Sequence, residues 1–229
     1  MGTVTIQSYT TKYPITMIGL EAGVCTQANT ADSEKNYKRG LDCLQSEHGR
    51  TIEFPDVYMI LDGYSARTIR EYYTHIGCLP SRLQASTRYI DYEQGFEFIT
   101  PPSIGKDTNT SIIYSNVMQT ICEAMQSLEE MGVPREDCAM LLPLGMSTKM
   151  VDKRNLRNLI DMSHQRLCAR AYHEHRGLMQ DIMKALSDYS EEWKYLVENY
   201  FKPKCMYRGY CSERKTCGLM PRKDDALCV

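Results

Sequence analysis

Residues 57–75 read VYMILDGYSARTIREYYTH and carry the clearest fold signal in this chain of 229 residues. The run VYMIL predicts a buried strand, which we expect Gly63 to break. Ser65 is a favourable helix N-cap, so a short helix should follow and end near His75 and Gly77. The local order is therefore strand, turn and short helix.

The remainder of the N-terminal half mixes extended and helical patterns. Val4–Tyr9 predicts an extended start, and Ala31–Ser46 predicts a polar helix. Leu79–Arg88 is irregular, whereas Tyr89–Thr100 (YIDYEQGFEFIT) alternates like a strand up to a Pro-Pro pair. This alternation favours antiparallel pairing.

The C-terminal half is mainly helical. One stripe of apolar residues at spacings of three and four predicts a core-facing helix that ends at Gly132 and Pro134. The stripe consists of Val117, Ile121, Cys122, Met125 and Leu128. A second long helical pattern runs from about Lys153 to Leu186, and Gly177 could bend or divide it. Strands first and helices later, without a GxGxxG or Walker A motif, predict an α+β fold rather than a Rossmann fold.

Composition limits the class of protein. With 42% hydrophobic residues, 24% charged residues and a net charge of −2, the chain is typical of a globular protein and not of a binder of nucleic acid polymers. It has neither a run of about 18 apolar residues nor a signal-peptide pattern, so we expect a cytoplasmic protein without a membrane partner. We predict one catalytic domain over residues 1–201 and a basic, cysteine-containing tail over 202–229 packed on it.

Ten cysteines in such a chain are expected to be reduced thiols. The six from Cys25 to Cys168 have no ligand-like spacing, which favours buried packing. The tail cysteines Cys205, Cys211 and Cys217 could hold a metal with a fourth ligand or pack against a helix. Because they lack a CxxC turn, we assign no metal ligand.

Two regions carry residues suited to chemistry. The irregular stretch Ser81–Tyr89 combines two arginines with hydroxyl residues, which suits a phosphate, although a surface salt-bridge loop has the same composition. In the long helical pattern, Asn155 and Arg166 are 11 residues apart and would share a face. Arg170 and Glu174 are spaced as an i,i+4 ion pair.

The order of these pieces from His48 to Glu174 resembles the flavin-dependent thymidylate synthases. Gln84–Tyr89 (QASTRY) is similar to the family's E-x-S-x-R-Y element, which holds the nucleotide's phosphate and base. Downstream pieces recur in the family's order and spacing, namely Leu142-Pro143, Asn155-Leu156-Arg157, Arg166 and Ala171-x-x-Glu174.

Upstream pieces resemble the family's flavin-binding motifs with departures. His48 and Glu53 are similar to its H-x(4)-E pair, and Arg70–His75 resembles the opening of its R-H-R signature. Thr74 and Ile76 replace both arginines of that signature.

Departures also occur at the nucleotide end. Gln84 replaces an acidic residue, and Ala139 stands where the family commonly has a phosphate-binding arginine. Arg82 is the expected substitute for that arginine.

The resemblance implies a curved, mainly antiparallel sheet packed with long helices, in a homotetramer with active sites between subunits. The implied reaction is C5-methylation of dUMP to dTMP, with FAD as cofactor and with NADPH and methylenetetrahydrofolate as co-substrates. Arg166 is the implied catalytic residue, which holds and polarises the pyrimidine edge, and no cysteine acts as nucleophile. The implied substrate contacts are Arg82, Gln84, Ser86, Arg88 and Arg166. The implied flavin contacts are His48, Glu53, His75, Asn155 and Arg157.

Three alternatives stay open on the sequence. A UMP or dUMP C5-methylase of secondary metabolism would use the same chemistry on a different sugar. A non-catalytic flavin- or nucleotide-binding homologue would fit the lost arginines and Ala139. A purely structural helical module with a metal-bound tail would bind no flavin.

Overall fold

The computed structural model describes residues 2–92 and 95–226, which form an α+β protein. In this part of the chain one sheet contains four strands in the order β1-β2-β4-β3. The strands are β1 (Thr3–Ile6), β2 (Asp56–Ser65), β3 (Ser81–Gln84) and β4 (Ser147–Asn155). Strands β2 and β4 run antiparallel, because the Ala66 amide bonds to the Met146 carbonyl and the Leu156 amide bonds to the Pro55 carbonyl, both at 2.9 Å. The predicted fold class is confirmed.

Helices precede, separate and follow these strands along the chain. They are α1 (Pro14–Cys25), α2 (Ser33–Gln45), α3 (Ala66–Tyr72), α4 (Pro102–Gly105), α5 (Thr108–Glu130), α6 (Arg135–Cys138), α7 (Leu156–Arg166), α8 (His173–Tyr189), α9 (Glu191–Tyr200), α10 (Lys204–Arg208) and α11 (Lys223–Ala226). Two 3₁₀ turns occupy Thr51–Glu53 and Ala139–Leu141. In the part of the chain that the structure describes, every helix is too short or too polar to span a bilayer.

The chain divides into two compact units. The first contains Leu61–Tyr73 and Leu83–Met150, together with the residues up to Thr3. Its core includes Tyr92, Met125 and Met146, with Phe96, Ile121 and Leu142 packed against them. The second contains Val4–Ile60, Thr74–Arg82 and the chain from Val151 onward. Its fully buried side chains include Ile15, Ile18, Leu156, Leu159, Leu178, Ile182 and Trp193.

The predicted strand, turn and helix around residue 65 are present, with one correction. The Ser65 hydroxyl accepts a hydrogen bond from the Thr68 amide at 3.1 Å and starts α3. Strand β2 continues through Gly63 to Ser65, because glycine adopts the required φ of 78° without a steric penalty. Helices α2 and α5 lie where the polar helix and the apolar stripe predicted them. The expectation that the whole stripe faces the core was wrong, because Met125 is its one buried residue and Val117 is half exposed.

The two segments between residues 79 and 100 differ from expectation. The irregular stretch Leu79–Arg88 contains β3. Tyr89–Thr100 is not a strand within the described residues, apart from a single bridge between Phe98 and Met146. Residues 93 and 94 of this prediction lie outside the described residues. Tyr92 is buried against Met125. The apolar residues of this alternating pattern therefore pack into the core from a loop segment and not from a strand.

The long helical pattern from Lys153 also needs correction. Lys153 lies in β4, and Asn155 is the N-cap of α7, whose first helical residue is Leu156. The division falls between Arg166 and His173, and Gly177 lies inside α8. Alternating buried residues at the end of β4 resemble a helix stripe when the strand leads directly into a helix.

Helix α1 was not predicted, and its N-terminus shows why. Its N-cap Tyr13 makes no side-chain cap. Instead the Glu192 carboxylate of α9 accepts hydrogen bonds from the amides of Ile15 at 2.7 Å and Thr16 at 3.0 Å. Gly19 allows close packing on α2, because an added Cβ there would lie 1.8 Å from the Asn36 carbonyl oxygen.

Candidate functional site

Arg166 and His75, two predicted site residues of the second unit, are in direct contact, and we call this pair the Arg166–His75 centre. Arg166 is the last residue of α7, and its Nε–H donates to His75 Nε2 at 2.8 Å. A guanidinium is always protonated, so the acceptor nitrogen carries no hydrogen and the imidazole proton lies on Nδ1. Two residues 91 positions apart are thus held in one fixed orientation.

Burial and positive neighbours keep this imidazole neutral. Burial, followed by the charges of Arg166 and Arg154, lowers the pKa of His75 to about 4. The His175 ring lies edge-on with its centroid 5.8 Å from that of His75. Burial, followed by the charge of Arg166, lowers the pKa of His175 to about 3. Two neutral imidazoles therefore accompany the guanidinium at neutral pH.

A buried ion pair supports the loop that carries His75. The Asp152 and Arg154 side chains are both fully buried. Arg154 Nε and Nη2 donate to the Asp152 carboxylate at 2.5 and 2.8 Å, and Arg154 Nη1 donates to Asn158 Oδ1 at 2.5 Å. Asn158 Nδ2 donates in turn to the Gly77 carbonyl at 2.6 Å. The end of β4 and the start of α7 thereby fix the loop of His75 and Gly77.

Four of the five predicted flavin contacts lie near the start of α7. Arg157 Nη1 donates to Glu53 Oε1 at 2.6 Å, and both side chains are partly exposed. His48 is exposed and lines the same cleft as Arg157. Asn155 is buried, and its Oδ1 caps α7 by accepting from the Asn158 amide at 3.0 Å. Its side-chain oxygen therefore has a structural role.

Three clefts open on this part of the second unit. Cleft A, of about 640 Å³, is lined by His48, Gly49 and Arg157 together with tail residues. Cleft B, of about 400 Å³, is lined by His75 and Asn158. Cleft C, of about 420 Å³, is lined by Arg166, Cys168 and Arg170 and by the tail residues Cys205, Cys211 and Cys217.

The predicted phosphate loop lies in the first unit. The Ser86 hydroxyl accepts from the Arg88 amide at 3.3 Å. Arg88 is exposed, and its Nε donates to Glu136 at 2.8 Å. Gln84 Nε2 donates to the Thr148 hydroxyl at 3.4 Å. These contacts bring Ser86 and Arg88 together, with a carboxylate now in the place that an anion would take.

The remaining predicted nucleotide contacts lie elsewhere in the chain. Arg82 is a partly buried residue of β3 and belongs, like Arg166, to the second unit. Ala139 starts the 3₁₀ turn Ala139–Leu141 of the first unit.

Several readings of the helical pattern were wrong. Asn155 has extended backbone angles at the cap, so its shared helix face with Arg166 does not exist. Arg170 and Glu174 do not lie on one helix, because α7 ends before Arg170 and α8 begins after it. Arg170 instead forms an ion pair with Glu213 at 3.2 Å. The buried residues Asp152, Arg154, Asn158 and His175 were missed, because Arg154, Asn158 and His175 are polar positions within the long helical pattern and Asp152 lies just before it.

The cysteines show mixed environments. Of the six scattered ones, Cys43 and Cys138 are buried, whereas Cys25 and Cys78 are exposed. Within residues 2–92 and 95–226, no three or more His, Cys, Asp or Glu side chains are grouped so as to hold a metal ion.

Comparison with solved structures identifies the fold. The crystal structure of flavin dependent thymidylate synthase ThyX from Helicobacter pylori, complexed with FAD and dUMP, matches with a TM-score of 0.69 at 17% identity, over 87% of this chain and 100% of that one. The UMP/dUMP methylase PolB from Streptomyces cacaoi, bound with 5-Br dUMP, matches with a TM-score of 0.68 at 15% identity, over 88% and 96%. The protein therefore has the fold class of the flavin-dependent thymidylate synthases.

Comparison of sequences identifies the family. The model of the thymidylate synthase complementing protein family matches residues 6–190. Flavin-dependent thymidylate synthase of Clostridium tetani is 28% identical over 207 residues, covering 81% of this chain and 79% of the relative. That of Pyrococcus furiosus is 30% identical over 194 residues, covering 83% and 76%. The chain belongs to this family of flavin-dependent thymidylate synthases.

Proposed function

We propose that the protein methylates C5 of dUMP to give dTMP, with FAD as cofactor, methylenetetrahydrofolate as carbon donor and NADPH as reductant. The observation that carries the proposal is the hydrogen bond between Arg166 and His75. This bond, 2.8 Å long, joins Arg166, the proposed pyrimidine contact, to His75, a proposed flavin contact. The two residues lie in opposite halves of the segment that matches the family model.

Arg166 is the proposed catalytic residue. The neutral His75 ring accepts from its Nε–H, which sets the plane of the guanidinium. A guanidinium held in one orientation presents fixed donors to a pyrimidine carbonyl and stabilises charge that develops there. His75 acts on the substrate through Arg166, so we assign it both a flavin contact and a positioning role.

The residues of cleft A suit a flavin cofactor. Its volume of about 640 Å³ lies within the range of small-molecule sites. His48 and Arg157 would contact the flavin, with Glu53 holding Arg157 and Asn155 holding the start of α7. When bound, FAD supplies the redox chemistry, and the chain supplies orientation and electrostatics.

The nucleotide phosphate would bind the loop of the first unit. Ser86 and Arg88 are adjacent and combine a hydroxyl with a guanidinium. Arg88 would exchange Glu136 for the phosphate. Gln84 and Arg82 are the other proposed substrate contacts, and Arg82 is the proposed substitute for the family arginine whose position Ala139 occupies.

We further propose a cytoplasmic homotetramer in which residues 1–201 act as one catalytic domain. The support for assembly is the apolar surface of α5, where Ile112, Ile113 and Val117 are each at least half exposed. Active sites between subunits follow from the family resemblance. Light scattering on the purified protein measures the number of subunits.

A second candidate substrate is UMP. The fold matches the UMP/dUMP methylase about as well as it matches the thymidylate synthase. Both substrates require the same pyrimidine chemistry and differ at the ribose 2′-hydroxyl.

Tritium release from 5-tritiated dUMP and UMP tests both candidates, with FAD, NADPH and methylenetetrahydrofolate supplied. We expect release from dUMP, and Arg166→Lys should lower it by about 10² to 10³, since one preorganised donor contributes on that scale. The matched control is Arg214→Ala, an exposed tail residue that lines none of the three clefts. Preference for UMP would transfer the assignment to the second candidate. Flavin binding without release from either nucleotide would leave a non-catalytic binding protein.

A further inference from the structure

His164 and Lys204 lie at the junction of the three clefts. Each of these two residues lines cleft A, cleft B and cleft C. His164 is in the last turn of α7, and Lys204 is the first residue of α10 in the tail. A ligand that extends from one cleft into the next must pass these two side chains.

The cations around the junction differ in how far they are neutralised. Arg157 is paired with Glu53 at 2.6 Å, and Arg170 is paired with Glu213 at 3.2 Å. Lys204 is exposed and has no carboxylate within 4.0 Å among residues 2–92 and 95–226. Its ammonium is therefore available to a ligand.

The ring of His164 is affected by this ammonium. Burial has the largest effect and lowers the pKa of His164, Asp161 raises that pKa, and Lys204 lowers it. Asp161 also lines clefts A and B, so one acidic group opposes the positive charge there. An anion between Lys204 and His164 would be attracted by the ammonium and bonded by an imidazole N–H.

Tyr207 holds the tail segment against the second unit. Its hydroxyl donates to Glu47 Oε1 at 2.5 Å, across 160 positions of sequence. Its ring centroid lies 5.3 Å from that of His164. Because Tyr207 is one helical turn beyond Lys204 in α10, these contacts fix where Lys204 emerges.

We infer that Lys204 and His164 bind the diphosphate of FAD. The inference rests on the proposed function. The proposed flavin contacts of one chain lie in separate clefts, His48 and Arg157 in cleft A and His75 in cleft B. A dinucleotide that binds both clefts of the same chain crosses the junction. The diphosphate is the middle of that molecule and its most anionic part. The ammonium of the tail thus supplies positive charge in a chain where Thr74 and Ile76 replace the two family arginines.

The test is FAD affinity of the full chain after removal of flavin, followed by flavin fluorescence in Lys204→Met, Lys204→Arg and Lys194→Met. Lys194 is an exposed residue of α9 that lines none of the clefts and serves as the matched control. Lys204→Met should raise the Kd for FAD about tenfold, the scale of one charge-assisted contact. Lys204→Arg should restore most of the affinity, and Lys194→Met should match the parent protein.

The outcomes separate this inference from the proposed function. Unchanged FAD affinity in Lys204→Met, in a parent protein that binds FAD and releases tritium, would overturn the diphosphate site alone. A loss that Lys204→Arg does not restore would also overturn it, since packing and not charge would then be responsible. A parent protein that binds no FAD would overturn the proposed function and this inference with it.

Discussion

The Arg166–His75 centre and the Ser86–Arg88 loop hold their functional side chains by opposite means. At the centre, His75 is buried and its loop is fixed through Asn158 by a fully buried ion pair. At the loop, Arg88 is exposed and its ion pair with Glu136 lies in solvent.

The difference shows which contacts set geometry and which can be exchanged. A buried ion pair has no alternative partner in water, so it keeps one arrangement. An exposed pair contributes little and is readily replaced by a ligand. We therefore expect mutations at the centre to affect folding and rate, and mutations in the loop to affect mainly substrate binding.

The largest expected effect follows from breaking the buried pair. Arg154→Met removes the guanidinium that binds the buried Asp152 carboxylate, which should lower the free energy of unfolding by about 3–5 kcal/mol. Urea denaturation measures the change. The double variant Asp152→Leu with Arg154→Met removes both charges and should recover much of the loss. Equal destabilisation in both variants would show that packing, and not the charge, dominates.

Acidification gives the next largest effect. The pKa of His75 is about 4 in the folded state, below the ordinary 6.5, so its contribution is present above pH 6.5 and is lost as the pH falls toward 4. Between pH 7 and pH 5 this one group should cost about 2 kcal/mol of stability.

Thermal or urea unfolding of His75→Gln at both pH values isolates that contribution. The difference in the free energy of unfolding between pH 7 and pH 5 should shrink by about 2 kcal/mol in this variant, because glutamine does not titrate. The exposed His48→Gln is the control and should keep the parent difference. An unaltered difference in His75→Gln would assign the pH dependence to other groups.

Removal of the loop guanidinium should have a smaller effect. Arg88→Ala should raise the KM for dUMP about tenfold, or about 1.4 kcal/mol, and change kcat less. The binding free energy that Arg88 gains from the phosphate is partly offset, because Arg88 must first break its hydrogen bond to Glu136. Steady-state kinetics check this, with Arg135→Ala as control because Arg135 forms a pair with Asp91 at 3.3 Å in the same unit. A fall in kcat at constant KM would contradict a binding role.

The smallest expected effect is at the carboxylate that occupies the loop. Glu136→Gln weakens the competitor of the phosphate, so the KM for dUMP should fall by about two- to threefold, within the energy of an exposed ion pair. The same kinetics measure it. A rise in KM would mean that Glu136 positions Arg88 for the substrate.

Local signals predicted the elements that are stabilised locally. The Ser65 hydroxyl caps the N-terminus of α3, and the Asp32 carboxylate caps that of α2 by accepting from the Lys35 amide at 3.1 Å. Helix α1 escaped prediction for two reasons: its N-terminus is capped by the distant Glu192, and its glycines, which allow close contact with α2, look like turn residues in sequence.

The site was predictable only in part for the same reason. Motif order brought Arg166 and His75 into consideration, but their direct contact depends on a fold that joins residues 91 positions apart. Arg154 lies near the end of β4, and this strand leads directly into α7. The alternating pattern of the strand could therefore not be separated from the helical pattern that follows. Lys204 belongs to none of the motifs from which the site residues were predicted, and its position at three clefts distinguishes it.

The cap that Glu192 provides for α1 has a consequence for the time course of synthesis. Ile15 and Glu192 are 177 positions apart, so at typical elongation rates roughly 10 to 35 s separates their appearance on the ribosome. During that interval the first turn of α1 lacks its partner carboxylate. The first turn of α1 should therefore stay frayed in the growing chain until α9 has been made, so that α1 matures after elements that are translated later.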